Sequence, residues 1–288
     1  MKKKSIGIML FLCPAIAVFC LIFIKSLVTL VGTSFTEYYI GSTPIFNGGV
    51  NYINVWKDES FRMAALNTVI WVVMQSTLNV ALGVTVAIIL ARKKWYWKIV
   101  RSIYMIPNII PAAAVGLMFV FMLNPQYGVV NNIIQHLGFP DFNTNWFYDP
   151  STAFFAVSMT WLPYAATITI LTLAEMGAID SSMYEAASVD GATEMQTILH
   201  ITLPNLRNII GTCTILAATS MLQKLDILMM TTKGGPSNKT LNMSIYIYNS
   251  IMRTNNYGIA NTAGVYLISF GLLSVLLIRK IYGIGKND

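Results

Sequence analysis

Polar and aromatic side chains interrupt two strongly apolar stretches of this chain at spacings that place them on single helix faces. The set comprises Thr160, Trp161, Tyr164 and Thr167 in the first stretch, and Ser220, Gln223, Lys224 and Asp226 in the second. Hydroxyl, amide and ammonium groups beside aromatic rings suit a ligand that carries many hydroxyl groups and apolar ring faces, such as a sugar. We therefore predict that this set, the predicted path residues, lines a ligand path.

The same residues have a structural interpretation. Serine and threonine in membrane helices often bond to their own backbone or hold helices together. Lys224 would then pair with an acidic group on a neighbouring helix. The sequence leaves both interpretations open.

A second group of residues, 181–206, has the composition of a docking segment. Ser181 and Ser182 offer an N-cap for a helix over 183–189, and Gly191 interrupts it. A second helix is expected over 192–200, with Pro204 in the first turn of the helix that follows. The acidic residues of this part of the chain are Glu175, Asp180, Glu185, Asp190 and Glu194.

An amphipathic helix that rests on lipid headgroups is normally rich in Lys and Arg. The 181–206 segment is acidic, with Arg207 just beyond its end. The charge therefore favours docking to a protein, and a basic surface would be complementary.

The composition indicates that these residues belong to a membrane protein. The 288 residues are 55% hydrophobic and 11% charged, with a mean hydropathy of +0.61, whereas soluble domains carry about 25% charged residues. We predict an all-α polytopic membrane protein in a single domain, 1–288, because barrel strands are shorter and alternate in polarity. Its six predicted transmembrane helices are 6–30, 65–90, 103–123, 153–174, 209–230 and 260–278.

The first apolar run follows three lysines and could be mistaken for a cleaved signal peptide. It is longer than the apolar region of such a peptide, so we expect it to remain as a span. The distribution of Lys and Arg then gives the orientation. Both termini and the 91–102 loop are basic, whereas 124–152 contains neither residue type. Both termini are therefore predicted to be cytoplasmic, and the net charge of +7 reflects topology rather than nucleic-acid binding.

No group of residues suggests catalysis, a metal or a cofactor. The cysteines, Cys13, Cys20 and Cys213, lie in apolar runs, and His136 and His200 fall on opposite sides of the predicted membrane. The chain lacks a phosphate-binding Gly-x-x-x-x-Gly-Lys-Ser/Thr loop. Any ATP chemistry must come from another subunit.

The docking segment resembles a known motif. Its residues Glu185, Ala186, Ala187, Asp190, Gly191, Ala192, Ile201, Leu203 and Pro204 are similar to the EAA loop of permease subunits of binding-protein-dependent ABC importers. Further similarity to the carbohydrate branch, which includes maltose, multiple-sugar and glycerol-phosphate permeases, lies in Asn67-Thr68, Asn124-Pro125, Tyr127-Gly128, Asn131, Asp226, Thr232 and Gly234-Gly235-Pro236. Asp180, Glu175 and Leu225 depart from the pattern outside the core of the EAA motif.

The resemblance implies a mechanism and a set of partners. The 181–206 segment would be a cytoplasmic coupling-helix loop that inserts into a cleft on an ATPase, with Glu185 as the charged contact, Gly191 as the bend and the three alanines permitting close packing. Two cytoplasmic ATPase subunits would bind the ATP and Mg, and this chain would hold no cofactor. A second related permease would form a heterodimer with it in the lipid of a bacterial plasma membrane. An extracellular or lipid-anchored binding protein would deliver the sugar.

Three hypotheses about function remain at this stage. The first is a sugar importer permease without enzymatic activity of its own. The second is an importer permease for another solute, such as glycerol phosphate, an amino acid or a polyamine. The third is a stand-alone secondary transporter or channel, which predicts inverted repeats that the sequence does not display.

Overall fold

The computed structural model describes residues 2–92, 95 and 97–285, and the side chains from residue 11 onward. The charges of Lys2, Lys3, Lys4, Lys93, Lys94 and Lys286, on which the predicted orientation depends, lie outside the described part. The described chain consists of helices, the loops between them and a hairpin of two short strands, Thr36–Glu37 and Ile45–Phe46, which the all-α prediction did not include.

The helices are numbered in chain order. They are α1 (Lys2–Ser34), α2 (Val50–Lys57), α3 (Glu59–Ala91), α4 (Trp97–Ile109), α5 (Ala112–Met122), α6 (Val129–His136), α7 (Ala153–Met176), α8 (Ser181–Val189), α9 (Glu194–Thr197, continued by Ile198–Thr202 and Leu203–Asn205), α10 (Arg207–Leu222), α11 (Asp226–Met230), α12 (Met243–Met252) and α13 (Tyr257–Tyr282).

Among the described residues, four helices are long and apolar enough to cross a membrane, namely α1 from Phe11, α3, α7 and α13. The predicted span 103–123 is instead a pair, α4 and α5, bent by 103°. Pro111 lies in the bend, and it disfavours helical geometry at the residue before it. The predicted span 209–230 also breaks, because α10 has 16 residues and ends before the polar pair Gln223 and Lys224. Counting the bent pair as one span gives five, one fewer than the sequence predicted.

The described chain divides into two compact units. The first contains residues up to 62 together with 246–268. Its interior is an aromatic cluster in which Phe61 contacts both Tyr246 and Tyr266. The hydroxyl of Tyr246 donates to the carboxylate of Asp58 at 2.7 Å, and burial, together with this bond, raises the pKa of the tyrosine. The buried Asn51 ties the end of α1 to the hairpin by donating to the carbonyls of Ser34 and Thr36.

The second unit contains residues 63–245 and those from 269 onward. Helices α3 and α7 pack closely within it, because Gly83 has no side chain to keep Ala165 and Ile168 away. The hydroxyl of Thr169 donates to the Gly83 carbonyl at 2.9 Å. Near the other end of the contact, the buried Trp71 donates to Ser158 at 3.0 Å. These contacts fix the face of α7 relative to α3.

The Gly-Gly-Pro loop is held by the residues at the start of the second predicted span. The Asn67 amide donates to three carbonyls of 238–241, at 2.9–3.2 Å. Thr68 accepts the amide of Met243 at 3.0 Å. The two sequence motifs are thus parts of one hydrogen-bonded structure.

The 124–152 loop is ordered around one buried asparagine. The Asn131 side chain donates to the carbonyl of Thr144 at 3.0 Å and accepts the indole N–H of Trp146 at 2.7 Å. Gly128 lies so close to the backbone of Asn124 that a side chain would not fit. The asparagines and glycine of this loop therefore have structural roles.

Candidate functional site

The docking segment begins at a capped helix. The cap of α8 is Asp180, whose carboxylate accepts the Ser182 amide at 3.0 Å, and not Ser181 or Ser182 as the sequence predicted. A carboxylate is a strong acceptor and interacts favourably with the positive end of the helix dipole. This hydrogen bond lowers the pKa of Asp180.

Gly191 ends α8 by turning the backbone. Its φ is +73°, and the amides of Gly191 and Ala192 donate to the carbonyls of Ser188 and Ala187. This is the Schellman arrangement that favours glycine at its left-handed position. No atom lies within 4 Å of where a Gly191 side chain would begin. Within the chain, the glycine therefore serves backbone conformation and not close packing.

The second helix begins at Glu194 and continues further than predicted. Thr193 and Gln196 form a capping box at its start. The helix then widens into a π-turn over Ile198–Thr202 and ends with Leu203–Asn205. The wide turn directly precedes Pro204, which has no amide to donate. The expected 192–200 helix and the turn around Pro204 are thus one continuous helical stretch, 194–205.

The two helices contact each other and the ends of α3 and α7. Arg92 and Glu194 form a salt bridge with a nitrogen–oxygen distance of 2.7 Å. The hydroxyls of Tyr184 and Thr202 lie 3.3 Å apart. Between them is a mainly apolar cavity of about 400 Å³, which side chains such as Ile88, Leu173, Met176 and Ile198 line. The two helices therefore pack against the ends of α3 and α7 and do not project freely.

The outer surface of the docking segment is acidic and apolar. Glu185, Ala186 and Asp190 are exposed, whereas Ala187 is buried against the chain itself. Val189 is 88% exposed and Met195 is 64% exposed. Large exposed apolar side chains beside charged ones are typical of protein interaction sites. The surface is therefore suited to a partner with a partly apolar cleft.

Several predicted path residues meet at one cavity of about 280 Å³. Its lining includes Trp161, Tyr164, Thr167, Ser220 and Lys224. The ammonium of Lys224 lies over the ring of Tyr164, 4.3 Å from its centre. No carboxylate lies within 4 Å of Lys224 among the described residues, where the salt bridge of Arg92 and Glu194 stands alone.

Three predicted path residues do not line this cavity. Thr160 is buried and donates to its own helix at the carbonyl of Val157, 2.6 Å away. Gln223 and Asp226 are exposed near the break between α10 and α11. The predicted path residues of α7 do not form one continuous helix face. After Met159 the helix is interrupted by a turn and a 3₁₀ segment, Leu162–Tyr164, which contains Pro163.

Two lining residues were missed in the sequence, Gln75 and Asn79. They are four residues apart in a mainly apolar helix, and that spacing was the available signal. The Asn79 amide donates to the Gln75 oxygen at 2.8 Å. Both side chains are more than nine-tenths buried.

The described residues contain no cluster of three or more His, Cys, Asp and Glu side chains that could hold a metal ion. The three cysteines are free, and Cys213 is buried. Neither site therefore displays residues for metal or thiol chemistry within the described chain.

The sequence of this chain is similar to those of known transport proteins. Residues 80–282 match the model of the family described as binding-protein-dependent transport system inner membrane component. A lactose transport system permease of Rhizobium radiobacter is 32% identical, over 85% of this chain and 83% of that protein. A sulfoquinovosyl glycerol transport system permease of Agrobacterium fabrum is 30% identical, over 94% and 89%.

A solved structure has a similar fold. It is a bacterial alginate ABC transporter in complex with an alginate pentasaccharide-bound periplasmic protein. One of its chains is 25% identical to this chain, with a TM-score of 0.84 over 98% of this chain and 97% of that one. The similarity extends over the two units and not only the matched family region.

Proposed function

Because the chain belongs to the family of binding-protein-dependent transport system inner membrane components, we propose that it is the membrane-spanning subunit of an ATP-driven sugar importer. A binding protein, extracellular or lipid-anchored, delivers the sugar or oligosaccharide. Relatives named for lactose, diacetylchitobiose and trehalose/maltose transport support the substrate class. The observation that carries the proposal is the 280 Å³ cavity, where aromatic rings lie beside amide, hydroxyl and ammonium groups.

The docking segment couples this chain to ATP hydrolysis. Its exposed face, with Glu185, Ala186 and Asp190 beside Val189, enters a cleft on a cytoplasmic ATPase. Ala187, Ala192, Ile201, Leu203 and Pro204 maintain the shape of the segment, and Gly191 provides its bend. Each of two ATPase subunits binds ATP and Mg, because this chain has no phosphate-binding loop.

Movement of the segment reaches the substrate cavity through α10. The last turn of the segment is followed directly by α10, with Ser220 near the far end of that helix and Lys224 just beyond its end. Closure of the ATPases would thus shift one wall of the cavity relative to α7. Alternating access follows if this shift opens the cavity to one side of the membrane at a time.

A second permease completes the path. A chain with four or five described spans does not enclose a translocation route by itself, and we propose a heterodimer with a related permease. Both termini then lie in the cytoplasm of a bacterial cell whose plasma membrane the dimer crosses. This arrangement places the docking segment on the ATPase side and the 124–152 loop on the side of the binding protein.

A second candidate substrate class follows from one observation. The ammonium of Lys224, which forms no salt bridge in the described part of the chain, would also suit an anionic solute such as glycerol phosphate. Amino acids and polyamines are further non-saccharide candidates, and the Lys224 ammonium does not favour the cationic polyamines. The two candidates differ in what the assembled complex imports.

The test is transport by the complete complex in proteoliposomes. The chain is purified with its partner permease and ATPases, and the binding protein is added on the outer side. Labelled lactose, maltose, alginate pentasaccharide, glycerol phosphate, an amino acid and a polyamine are offered in turn. We expect uptake of a saccharide that requires both ATP and the binding protein. Uptake limited to a non-saccharide, or uptake without ATP, would contradict the proposal.

A further inference from the structure

Two amides of α3, Gln75 and Asn79, form a wall of the cavity that also contains Tyr164 and Lys224. We propose that this amide pair selects the transported saccharide by binding one of its hydroxyl groups. The inference rests on the proposed function and assigns two residues to it that the sequence did not suggest. It also specifies the chemistry that they recognise.

The amides lie on a distorted part of the helix. Residues Gln75–Asn79 form a π-turn within α3, and such turns occur frequently at functional sites. The side chains are 8% and 5% exposed, in a helix of mean hydropathy 1.9. Burial of polar groups in such surroundings costs free energy unless they are hydrogen-bonded.

The hydrogen bond between the amides leaves part of their capacity unused. The Nδ2 of Asn79 donates to the Oε1 of Gln75, and the buried Oδ1 of Asn79 has no partner among the described residues. Turning both amides over would exchange the donor and acceptor, and one oxygen would still be left. In either orientation, one buried amide oxygen of the pair is left without a partner in the described chain.

Two aromatic residues that line the same cavity have unpaired groups as well. The indole Nε1 of Trp161, which is 1% exposed, and the hydroxyl of Tyr164 have no hydrogen-bond partner in the described chain. The rest of the lining includes the apolar side chains Ile168, Leu216 and Ala217. The residues that line the cavity thus carry a buried unpaired acceptor, a buried unpaired donor and a buried unpaired phenol beside apolar side chains.

A saccharide hydroxyl satisfies this arrangement in a way that an ionised carboxylate or phosphate group does not. A hydroxyl can donate to the oxygen of Asn79, and other sugar oxygens can accept from Trp161. A carboxylate or phosphate only accepts when ionised, so it would leave the amide oxygen unpaired. A site that hydrogen-bonds a substrate hydroxyl discriminates strongly against analogues that lack it.

The experiment uses the complete complex in proteoliposomes with the saccharide that the unaltered protein imports. Lactose, maltose and alginate pentasaccharide are the probes, and uptake is expressed per ATP hydrolysed. Asn79→Leu and Gln75→Leu remove the amides, Asn79→Ser keeps a small polar group, and Thr77→Val is the control. Thr77 lies on the same π-turn but is exposed and bonded to the carbonyl of Val73.

We expect uptake per ATP to fall about three- to tenfold in Asn79→Leu and Gln75→Leu, as for the loss of one hydrogen bond, and to change little in Thr77→Val. Monodeoxy analogues of the imported saccharide provide a second measurement. The unaltered protein should discriminate against one analogue, and Asn79→Leu should lose that discrimination. Asn79→Ser should retain part of it, which keeps the test available if the leucine variant does not assemble.

The proposal would be overturned if the assembled Leu variants imported the saccharide with unchanged yield per ATP. It would also be overturned if every analogue kept its ratio to the parent sugar in both Asn79 variants. Failure of the proposed function is a different result, since the unaltered complex would then import none of the saccharides.

Discussion

The guanidinium of Arg92 lies 2.7 Å from the carboxylate of Glu194 and joins the end of α3 to the docking segment. One acidic residue of that segment is therefore balanced within the chain itself. Glu185 and Asp190 remain exposed, without a salt bridge in the described chain. The acidic character that indicated a basic partner is thus concentrated on α8 and the bend after it.

Reversal of the Arg92 charge should weaken coupling. The side chains are 45% and 62% exposed, and exposed pairs contribute about 0.2–1 kcal/mol. We expect Arg92→Glu to lower binding-protein-stimulated ATP hydrolysis by a few-fold at most, because the start of α9 loses its salt bridge to the end of α3. The double variant Arg92→Glu with Glu194→Arg should recover the activity. If the double variant were as impaired as the sum of the single ones, the bridge would not be the cause.

Substitution of Gly191 should impair coupling through backbone strain. A residue with a side chain in the left-handed conformation costs about 1–2 kcal/mol, although space is available around Gly191. We expect Gly191→Val to reduce ATP hydrolysis in the assembled complex more than Gly191→Asn does, because asparagine tolerates this conformation. Equal effects of the two variants would point to a steric role in the partner cleft.

Removal of the contact between Lys224 and Tyr164 should reduce sugar uptake. Cation–π contacts contribute about 0.5–2 kcal/mol, so Lys224→Met and Tyr164→Leu should each lower uptake several-fold. Tyr164→Phe keeps the ring and should have a smaller effect. If Lys224→Met abolished uptake of an anionic solute and left saccharide uptake intact, the alternative substrate class would be favoured.

Acid should loosen α8 through its cap. The hydrogen bond from Ser182 lowers the pKa of Asp180 in the folded state. Its stabilising effect is therefore present above the ordinary pKa of about 3.9 and is lost as the pH falls through the lower, folded-state value. A spin label at Ser188→Cys should gain mobility in that acidic range. Asp180→Asn retains a capping side chain that does not titrate, and a persistent transition in that variant would contradict the assignment.

Gly83→Ala should destabilise the contact between α3 and α7. The added carbon would lie 2.7 Å from Cβ of Ile168 and 2.8 Å from the carbonyl of Ala165. Overpacking of this kind costs about 1–3 kcal/mol, so the purified complex should unfold at a lower temperature. Gly32→Ala, where nothing lies within 4 Å, is the matched control. A similar loss in both variants would indicate a general effect of alanine.

Local sequence signals were sufficient where chain conformation depends on neighbouring residues. Gly191 indicated the end of a helix, and the structure supplies the hydrogen bonds that explain it. The N-cap was misplaced by one residue, because serine and aspartate are both good caps and only the geometry selects Asp180. Composition alone indicated the membrane helices, since burial in lipid imposes long apolar runs.

The cavity could be predicted only in part, because its walls come from separate helices. Tyr164 and Thr167 line the cavity together, as their spacing predicted. Thr160 does not, because α7 is interrupted after Met159 and the Thr160 hydroxyl donates to the carbonyl of Val157. Gln75 and Asn79 were missed because the sequence does not say which polar residues of the mainly apolar α3 face α7. The bend between α4 and α5 likewise depends on more than the apolar run that contains it.

Contact between the docking segment and an ATPase is the measurement that tests the central claim most directly. Cys13, Cys20 and Cys213 are replaced by serine, and Glu185→Cys is paired with cysteines on the partner ATPase in the transport-competent complex. Asp141→Cys, in the exposed part of the 124–152 loop, is the control. We predict oxidative cross-links from Glu185→Cys whose yield changes with ATP, and none from Asp141→Cys. The absence of any cross-link from residues 185–191 in a complex that still transports would contradict the account.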